Sequence, residues 1–418
     1  MPRRRNAAAA VAAADSTIGD EHESRISQSV FWESDDKPKR RSWRRSTITI
    51  SAMSFVMMTT IITYLCLQWH TKYYGLGHLR NSRFLSSDGD RSAVITPPLH
   101  PQGLVIDGVE VFYMLPQSKS MEDIKGIVLY LHGCSQGGAD AFLLPEDRIV
   151  IKMALMEGLA ILSPTSQDRT TGCWKLDADD VDANRLFRNT GTNGSTLMDQ
   201  WMQMVEIDRQ NVSIFAIGNG SGANFLLNCW PFVQFDAMVL FGANRNFQNR
   251  DLQQATVPPP IAFVVRSRDS VASEAADVNS DSLISSRVRT IVISVDPVRF
   301  TPARCNERLP ELGDRRCDSL LNNFRSQEYS NLMSEDYQVL RNTWGGEWKS
   351  ALASLDTSPT QDDNNTKFLG KVPKRSLKGQ SRLYSAVEEE INTSYGVYPV
   401  VADRMEDVFQ WLKETAKL

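Results

Sequence analysis

The residues of greatest chemical interest are a glycine-rich hexapeptide and the few histidines. GNGSGA, residues 218–223, lies between an apolar run and a helical pattern. Its Ser221 hydroxyl becomes a nucleophile only when a base takes its proton, and imidazole, with a pKa near 6.5, suits that task at neutral pH. The histidines are His22, His70, His78, His100 and His132. None follows Ser221, so this serine has no imidazole base later in the chain.

The same hexapeptide also fits the dinucleotide fingerprint G-x-G-x-x-A between a strand and a helix. That interpretation needs an acidic residue about 20 positions later to hold a ribose. Here the next strand pattern ends Phe241-Gly242-Ala243-Asn244, without a carboxylate. The fingerprint also normally opens its domain, whereas two apolar runs precede this one. A dinucleotide-binding oxidoreductase is therefore an alternative that both features disfavour.

The elements around the hexapeptide alternate between strand and helix patterns. We predict a hairpin at 105–115 and strands at 126–133, 159–165, 212–218, 237–243, 261–267 and 289–295. Helical spacing occurs at 147–158, 196–207, 222–230 and 402–416. Such alternation indicates an α/β domain, with a mostly parallel central sheet and helices on both faces. This domain is predicted to span 103–418, with an irregular insertion at about 300–385.

Four segments in order carry a resemblance to a known family. They are HGCSQGGADAF from His132, LPEDRIVIKMALMEGLAILSP from Leu144, Cys173-Trp174, and the hexapeptide. Over about residues 125–300 the chain resembles the α/β-hydrolase superfamily, and within it uncharacterised plant and algal α/β-hydrolase-like proteins. In that fold a turn after the third strand supplies an N–H to the oxyanion hole, and a G-x-nucleophile-x-G elbow presents the nucleophile.

The resemblance implies roles for individual residues. The oxyanion loop is His132, Gly133 and Cys134, and the elbow glycines are Gly218 and Gly222. The nucleophile position then falls on Gly220, the acid on Asp269, and the late histidine position on Tyr398.

Two of the three triad positions therefore lack their catalytic side chain, and Ser221 stands one residue after the nucleophile position. We expect a catalytically degenerate domain that acts as a binding or scaffolding module, with a small molecule or protein as ligand in the old active-site cleft. The alternative is an esterase-like serine hydrolase that uses Ser221 with a non-standard base.

An apolar segment near the N-terminus predicts a membrane anchor. The 22 residues from Ile48 to Trp69 include no charged side chain, and at about 1.5 Å per residue they can cross a bilayer. Basic residues crowd the N-terminal flank at 37–45, which places the N-terminus in the cytosol. The chain is thus predicted to be a single-pass type II membrane protein of the secretory pathway or plasma membrane. Its predicted parts are a disordered basic tail at 1–46, a bilayer-spanning signal-anchor helix at 47–70, and a stalk at 71–102.

Cysteines and sequons are consistent with a folded domain in the lumen of the secretory pathway or outside the cell, where disulfides can form. We expect Cys305 to pair with Cys317 across a short charged loop, and Cys134 with Cys173, since both follow strand ends. Glycosylation is expected at Asn193 and Asn364, which lie in polar loops within N-x-S/T sequons. No C-x-x-C or histidine pair has metal-ligand spacing, so neither a metal nor a cofactor is expected. The folded part is mildly acidic, which gives no reason to expect a nucleic-acid partner.

Overall fold

An eight-stranded sheet organises the part of the chain that the structure, a computed structural model, describes: residues 99–117, 123–175, 186–187, 195–247, 257–329, 331–355 and 382–416. Its strands are β1 (Gln102–Ile106), β2 (Val109–Met114), β3 (Gly126–Leu131), β4 (Leu159–Pro164), β5 (Ser213–Asn219), β6 (Ala237–Phe241), β7 (Ile261–Arg266) and β8 (Thr290–Val295). They lie in the order β1-β2-β4-β3-β5-β6-β7-β8. Only the β1–β2 and β2–β4 pairs are antiparallel. The predicted mostly parallel sheet is confirmed.

The described helices are α1 (Pro145–Met156), α2 (Leu197–Met204), α3 (Ser221–Cys229), α4 (Ser270–Ser285), α5 (Pro302–Arg308), α6 (Gly313–Arg325), α7 (Glu347–Ala353), α8 (Arg382–Tyr395) and α9 (Met405–Ala416). Alternate residues of a strand point to opposite faces of a sheet. Leu129 and Leu131 of β3 accordingly join a core with α2, α3 and α4, whereas Val128 and Tyr130 join one with α1 and α9. Helices therefore cover both faces, as predicted.

Strand register brings the two glycine-rich turns together. In the parallel pair of β3 and β5, Leu131 lies opposite Gly218. The chain leaves both strands at the same edge of the sheet, so the His132 turn and the Gly220 turn become neighbours. The hairpin predicted at 105–115 also forms, with Asp107 and Gly108 at positive φ in its turn.

The prediction of an irregular insertion at about 300–385 is wrong for much of its described part. This region contains α5, α6 and α7, and it continues into α8. These helices bury a third apolar cluster of their own. In α6 the buried residues Cys317, Leu320, Leu321 and Phe324 follow helical spacing. Polar residues between them hide this stripe from a count of apolar runs, although the spacing itself is visible in the sequence.

Several predictions concern residues outside the described part of the chain. The tail at 1–46, the anchor at 47–70, nearly all of the stalk at 71–102, and the sequons at Asn193 and Asn364 all lie there. No helix within the described ranges combines the length and the apolar character that crossing a bilayer requires. The anchor and the glycans therefore stay predictions.

Both predicted disulfides are present. Cys134 pairs with Cys173, with 4.1 Å between their Cα atoms, and Cys305 pairs with Cys317, with 5.8 Å. The second bond joins α5 to α6 inside the third apolar cluster. Cys229 is a buried thiol on α3.

We predict that the Cys305→Ser/Cys317→Ser double variant is less stable by about 3 kcal/mol, because the bond closes a short loop and so restricts the unfolded chain. Urea unfolding of the full-length protein, followed by tryptophan fluorescence, measures this loss. Asp318→Ser, an exposed change on the same helix, is the matched control and should leave the unfolding midpoint unchanged. A double variant that unfolds at the same urea concentration as this control would contradict the prediction.

Candidate functional site

The elbow predicted at Gly220 has the expected strand–turn–helix geometry. β5 ends at Asn219, Gly220 adopts φ 52° and ψ −105°, and α3 begins at the next residue. The flanking glycines are required by close packing. A Cβ on Gly222 would lie 2.4 Å from the Leu131 carbonyl oxygen, and one on Gly218 would lie 2.6 Å from the Ala223 Cα. The chain thus keeps the backbone of a nucleophile elbow.

Gly220, the predicted nucleophile position, has no side chain and lies next to a proline. A Cβ on Gly220 would have Pro399 Cγ, 4.0 Å away, as its nearest neighbour. Pro399 also approaches Gly242, where a Cβ would lie only 2.7 Å from the proline Cβ. Both glycines have positive φ, so each supports a turn that other residues adopt with strain.

Ser221, the alternative nucleophile, is the first residue of α3. Its hydroxyl oxygen accepts a hydrogen bond from the Trp174 backbone N–H at 3.4 Å. Trp174 in turn follows Cys173, which the disulfide holds against the oxyanion loop. Among the described residues, the hydrogen-bond partner of this hydroxyl is therefore a backbone amide. That amide donates a proton and cannot take one from the serine.

A glutamine side chain is hydrogen-bonded to the predicted oxyanion loop. Gln136 Oε1 accepts the backbone N–H of Gly133 at 2.8 Å and the Asn219 side-chain amide at 3.3 Å. Gln136 Nε2 donates to the Tyr398 hydroxyl at 2.6 Å. A loop N–H that could stabilise an oxyanion in a hydrolase is thus already hydrogen-bonded to a neutral amide within the protein.

His132 holds the loop in place and is not available as a base. It is fully buried, and Nε2 lies 3.1 Å from the Ser166 backbone N–H, so it acts as the acceptor. This network assigns the ring proton to Nδ1, which lies 2.8 Å from the Gly133 carbonyl oxygen. Burial lowers the pKa of His132 to about 4. The neutral ring therefore serves a structural role, together with the Trp174 indole that donates to the His132 carbonyl.

Hydrogen bonding does not join the predicted acid to the predicted base position. Asp269 Oδ1 accepts the Ala272 N–H at 3.0 Å and caps α4, the common use of an aspartate at a helix start. Tyr398 donates its hydroxyl to Asp147 Oδ2 at 3.2 Å instead. Burial, and then the charge of Asp147, raise the pKa of Tyr398 well above its usual value. The triad roles of Asp269 and Tyr398 stay predictions.

Asp147, on the first turn of α1, was not singled out from the sequence and stands at the centre of the site. Its Oδ1 accepts the Tyr130 hydroxyl at 2.5 Å, and its carboxyl interacts with that of Glu389 on α8. Glu389 Oε1 accepts the Glu146 backbone N–H at 2.9 Å. Burial raises the pKa of Asp147 to about 7 and that of Glu389 well above its usual range. These raised pKa values favour the protonated form of both carboxyls.

A neighbouring ion-pair cluster neutralises the second pair of carboxyls on these helices. Arg304 bonds to Glu146 at 2.7 Å, to Glu390 at 3.0 Å and to Asp403 at 3.0 Å. Arg308 lies 3.1 Å from Glu146 and 3.0 Å from Asp403. These contacts compensate the negative charge of Glu146 and Glu390. Among the described ion pairs, Asp147 and Glu389 have no arginine or lysine partner.

A cleft of about 320 Å³ opens beside this pair. It lies between the β3–α1 loop, the segment around Trp344 and helix α8. Its lining residues are Cys134, Ser135, Gln136, Asp140, Leu144, Thr343, Trp344, Ser385, Glu388, Glu389, Asn392 and Tyr398. No arginine, lysine or histidine is among them, so the lining is acidic and polar with an aromatic edge.

The site offers little to a metal or a dinucleotide. Among the described residues, no group of three or more His, Cys, Asp or Glu side chains could hold a metal ion. After β6 the chain places Asn244, whose side chain bonds to Asn224 at 2.7 Å, where a ribose-binding carboxylate would be needed. The geometry adds no support to the oxidoreductase alternative.

Similarity to known proteins is found among solved structures. No family model and no curated protein matches the sequence. Similar solved structures include the acetyl xylan esterase from Aspergillus awamori, at 12% identity, over 47% of this chain and 93% of that one, with a TM-score of 0.33. A thermophilic esterase from Thermogutta terrifontis has 13% identity over 55% and 96%, with a TM-score of 0.36. A dienelactone hydrolase from Anabaena variabilis has 17% identity over 48% and 88%, with a TM-score of 0.30.

Matches with TM-scores this low carry no weight in the fold assignment, which rests on the sheet and the elbow. A mostly parallel eight-stranded sheet, covered on both faces, with a strand–turn–helix at Gly220, is an α/β-hydrolase type of fold. The fold class predicted from the sequence for this domain is therefore confirmed. The narrower resemblance to plant and algal proteins stays a prediction.

We predict that Asp147→Asn flattens the loss of stability between pH 6.5 and 8. The pKa of Asp147 is about 7 in the folded protein and about 3.9 in an unfolded chain. Its contribution to the free energy of unfolding is fully present below pH 4 and is lost as the pH rises through 7. Between pH 6.5 and 8 this loss is about 1 kcal/mol. His132, whose pKa is lowered to about 4, changes stability mainly below pH 6.5.

Urea unfolding at pH 6.5 and 8.0 measures both free energies of unfolding. Asp277→Asn, an exposed change on α4, is the matched control and should keep the wild-type pH dependence. An Asp147→Asn variant with the same pH dependence as this control would show that Asp147 does not carry the raised pKa.

Proposed function

We propose that this domain is a non-catalytic binding module built on a hydrolase-like fold, with its ligand in the cleft beside Asp147 and Glu389. The observation that supports this most is Gly220, which puts no side chain at the nucleophile position of an otherwise intact elbow. A hydrolase of this type attacks through a side chain at that position. With a glycine there, no covalent intermediate can form at the elbow.

Other contacts at the old site support the same proposal. Tyr398 stands where the resemblance predicts the base, and its raised pKa keeps the hydroxyl protonated at neutral pH, so no phenolate is available to accept a proton. Gln136 bonds to the Gly133 N–H. General-base catalysis alone contributes about 10²–10⁴-fold to a rate. Loss of both nucleophile and base therefore leaves little hydrolytic activity to expect.

The apolar segment at 47–70 supports a further proposal, that the binding module is presented from a membrane. Its basic flank favours a cytosolic N-terminus and a folded domain in the lumen or outside the cell. Two disulfides within the folded domain suit such an oxidising compartment. A scaffolding role, with a protein as ligand, fits the same topology.

Serine hydrolysis through Ser221 is the second candidate. The observation in its favour is that this hydroxyl is half-buried at the first position of α3, next to the elbow. A helix N-terminus stabilises developing negative charge. Against it stands the hydroxyl's contact with the Trp174 N–H, which supplies no base.

We expect the full-length protein to give no covalent adduct with a fluorophosphonate probe and no hydrolysis of short-chain nitrophenyl esters above background. An active serine esterase, treated in parallel, shows that the probe is competent. Ser221→Ala and Ser135→Ala are the matched variants, and the Ser135 side chain lines the cleft beside Asp147 and Glu389. Labelling of the wild type and of Ser135→Ala, but not of Ser221→Ala, would overturn the proposal and identify Ser221 as the nucleophile.

A further inference from the structure

The cleft beside α8 is lined by three carboxyl groups, and among the described ion pairs only Asp140 has a cationic partner. Asp140 is satisfied, since it bonds to Arg382 at 3.0 Å and to the Gly137 N–H at 2.8 Å. Glu388 is half-buried, and its recorded contact is a long one of 3.5 Å to the Thr343 hydroxyl. Glu389 has no arginine or lysine partner among the described ion pairs. The cleft therefore favours a positively charged occupant.

Glu389 contributes a buried oxygen that lacks a donor. The residue is 2% exposed, yet it lines the cleft. Its Oε1 accepts the Glu146 N–H, whereas no N–H or hydroxyl group of the described residues donates to Oε2. Because an unsatisfied buried acceptor is costly, a donor brought by a ligand would be stabilising there.

An aromatic ring stands at the edge of the same cleft. Trp344 is 87% exposed, which is unusual for the largest apolar side chain. Its backbone is held in place by Asn342, whose Oδ1 accepts the Trp344 N–H at 3.1 Å. Leu144 and Tyr398 add apolar surface to the lining. The cleft thus combines an acidic end with an apolar, aromatic wall.

We propose that the cleft binds a small organic cation that carries N–H donors, a primary ammonium or a guanidinium group on an apolar body. The cationic head donates to Glu389 Oε2 and lies near Glu388, and the apolar body packs against Trp344. This proposal rests on the proposed function, because it names the ligand class of that binding module. The cleft volume of about 320 Å³ is at the low end of the range for small-molecule pockets, about 300–1,000 Å³.

Other occupants fit the cleft less well. A metal ion would need a set of three ligands, and the described residues form none. A neutral hydroxyl compound could donate to Glu389 but would leave the charge of Glu388 uncompensated. An anion would meet only carboxylates and neutral groups. A cation with N–H donors would compensate the charge of Glu388 and would also donate a hydrogen bond to Glu389 Oε2.

Proton release should accompany binding. The groups facing Glu389 are Asp147 and Glu146 on α1, Tyr130 on β3, Tyr398, and Glu390 on its own helix. A bound cation favours ionised carboxyls, so it competes with protonation of Asp147 and Glu389. Affinity for the cation should therefore rise as pH increases from 6 to 8.

The test compares phenethylammonium with 2-phenylethanol, a neutral compound of the same shape, on the full-length protein. Saturation-transfer NMR on each ligand gives its dissociation constant. We expect the ammonium to bind at least tenfold more tightly than the alcohol at pH 8, and the preference to shrink at pH 6. Glu389→Gln should weaken ammonium binding at least tenfold. Glu274→Gln, an exposed change on α4, is the matched control and should bind as the wild type does.

Two variants of accessible residues guard against a folding defect at Glu389. Glu388→Gln and Trp344→Ala should each weaken ammonium binding severalfold. Equal binding of the two compounds, no binding of the ammonium, or wild-type affinity in these variants would each overturn the ligand class. Fluorophosphonate labelling of the same preparation separates the two failures: unlabelled protein without ammonium binding refutes only the ligand class, whereas labelled protein refutes the proposed function.

Discussion

Two consecutive carboxyls at the start of α1 tie the later helices to the sheet. Glu146 receives Arg304, Arg308 and the Ala402 N–H. Asp147 receives two tyrosine hydroxyls and the carboxyl of α8. Because these groups are buried, each depends on its partner, and removing one side of such a pair costs about 3–5 kcal/mol. The junction is therefore a strong constraint on where α5, α8 and the segment before α9 can lie.

That constraint also determines what covers the elbow. The segment after α8 bonds to α1 through Tyr398 and again through Ala402. Pro399, between them, is thereby placed over Gly220 and Gly242. The absence of a side chain at Gly242 allows this approach, because a Cβ there would lie 2.7 Å from the proline Cβ. The contacts at the start of α1 therefore also place Pro399 over the elbow. The cleft opens beside the elbow, at Glu389.

Much of the sheet could be predicted from the sequence because its central strands are continuous apolar runs. The elbow was also visible, since its glycines are required by the contacts of Gly218 and Gly222 with the neighbouring backbone. Helix α8 was missed because Glu389 and Glu390 look like surface residues, whereas both are buried. A run of three glutamates before an apolar residue hides an interior face from periodicity. Asp147 likewise resembled an ordinary acidic residue in a first helical turn.

The long-range partners were beyond sequence reasoning for a related reason. Asp269 follows β7, where the fold places a catalytic acid, but an aspartate at a helix start also serves as a cap, and that local role is the one observed. Cysteine pairing was predictable because few combinations were available. Pairing among carboxyls and arginines had many combinations, and only the folded backbone selects among them.

Gly220 also bears on how easily such a domain changes its role. A side chain at φ 52° and ψ −105° is strained, at a cost of about 1–3 kcal/mol that active sites tolerate for the sake of chemistry. Glycine removes that strain. Once selection for turnover lapses, replacement of a nucleophile by glycine is therefore favoured by folding itself. Regaining hydrolytic activity would need a destabilising substitution at the turn together with a new base, so such a loss of the nucleophile is hard to reverse in evolution.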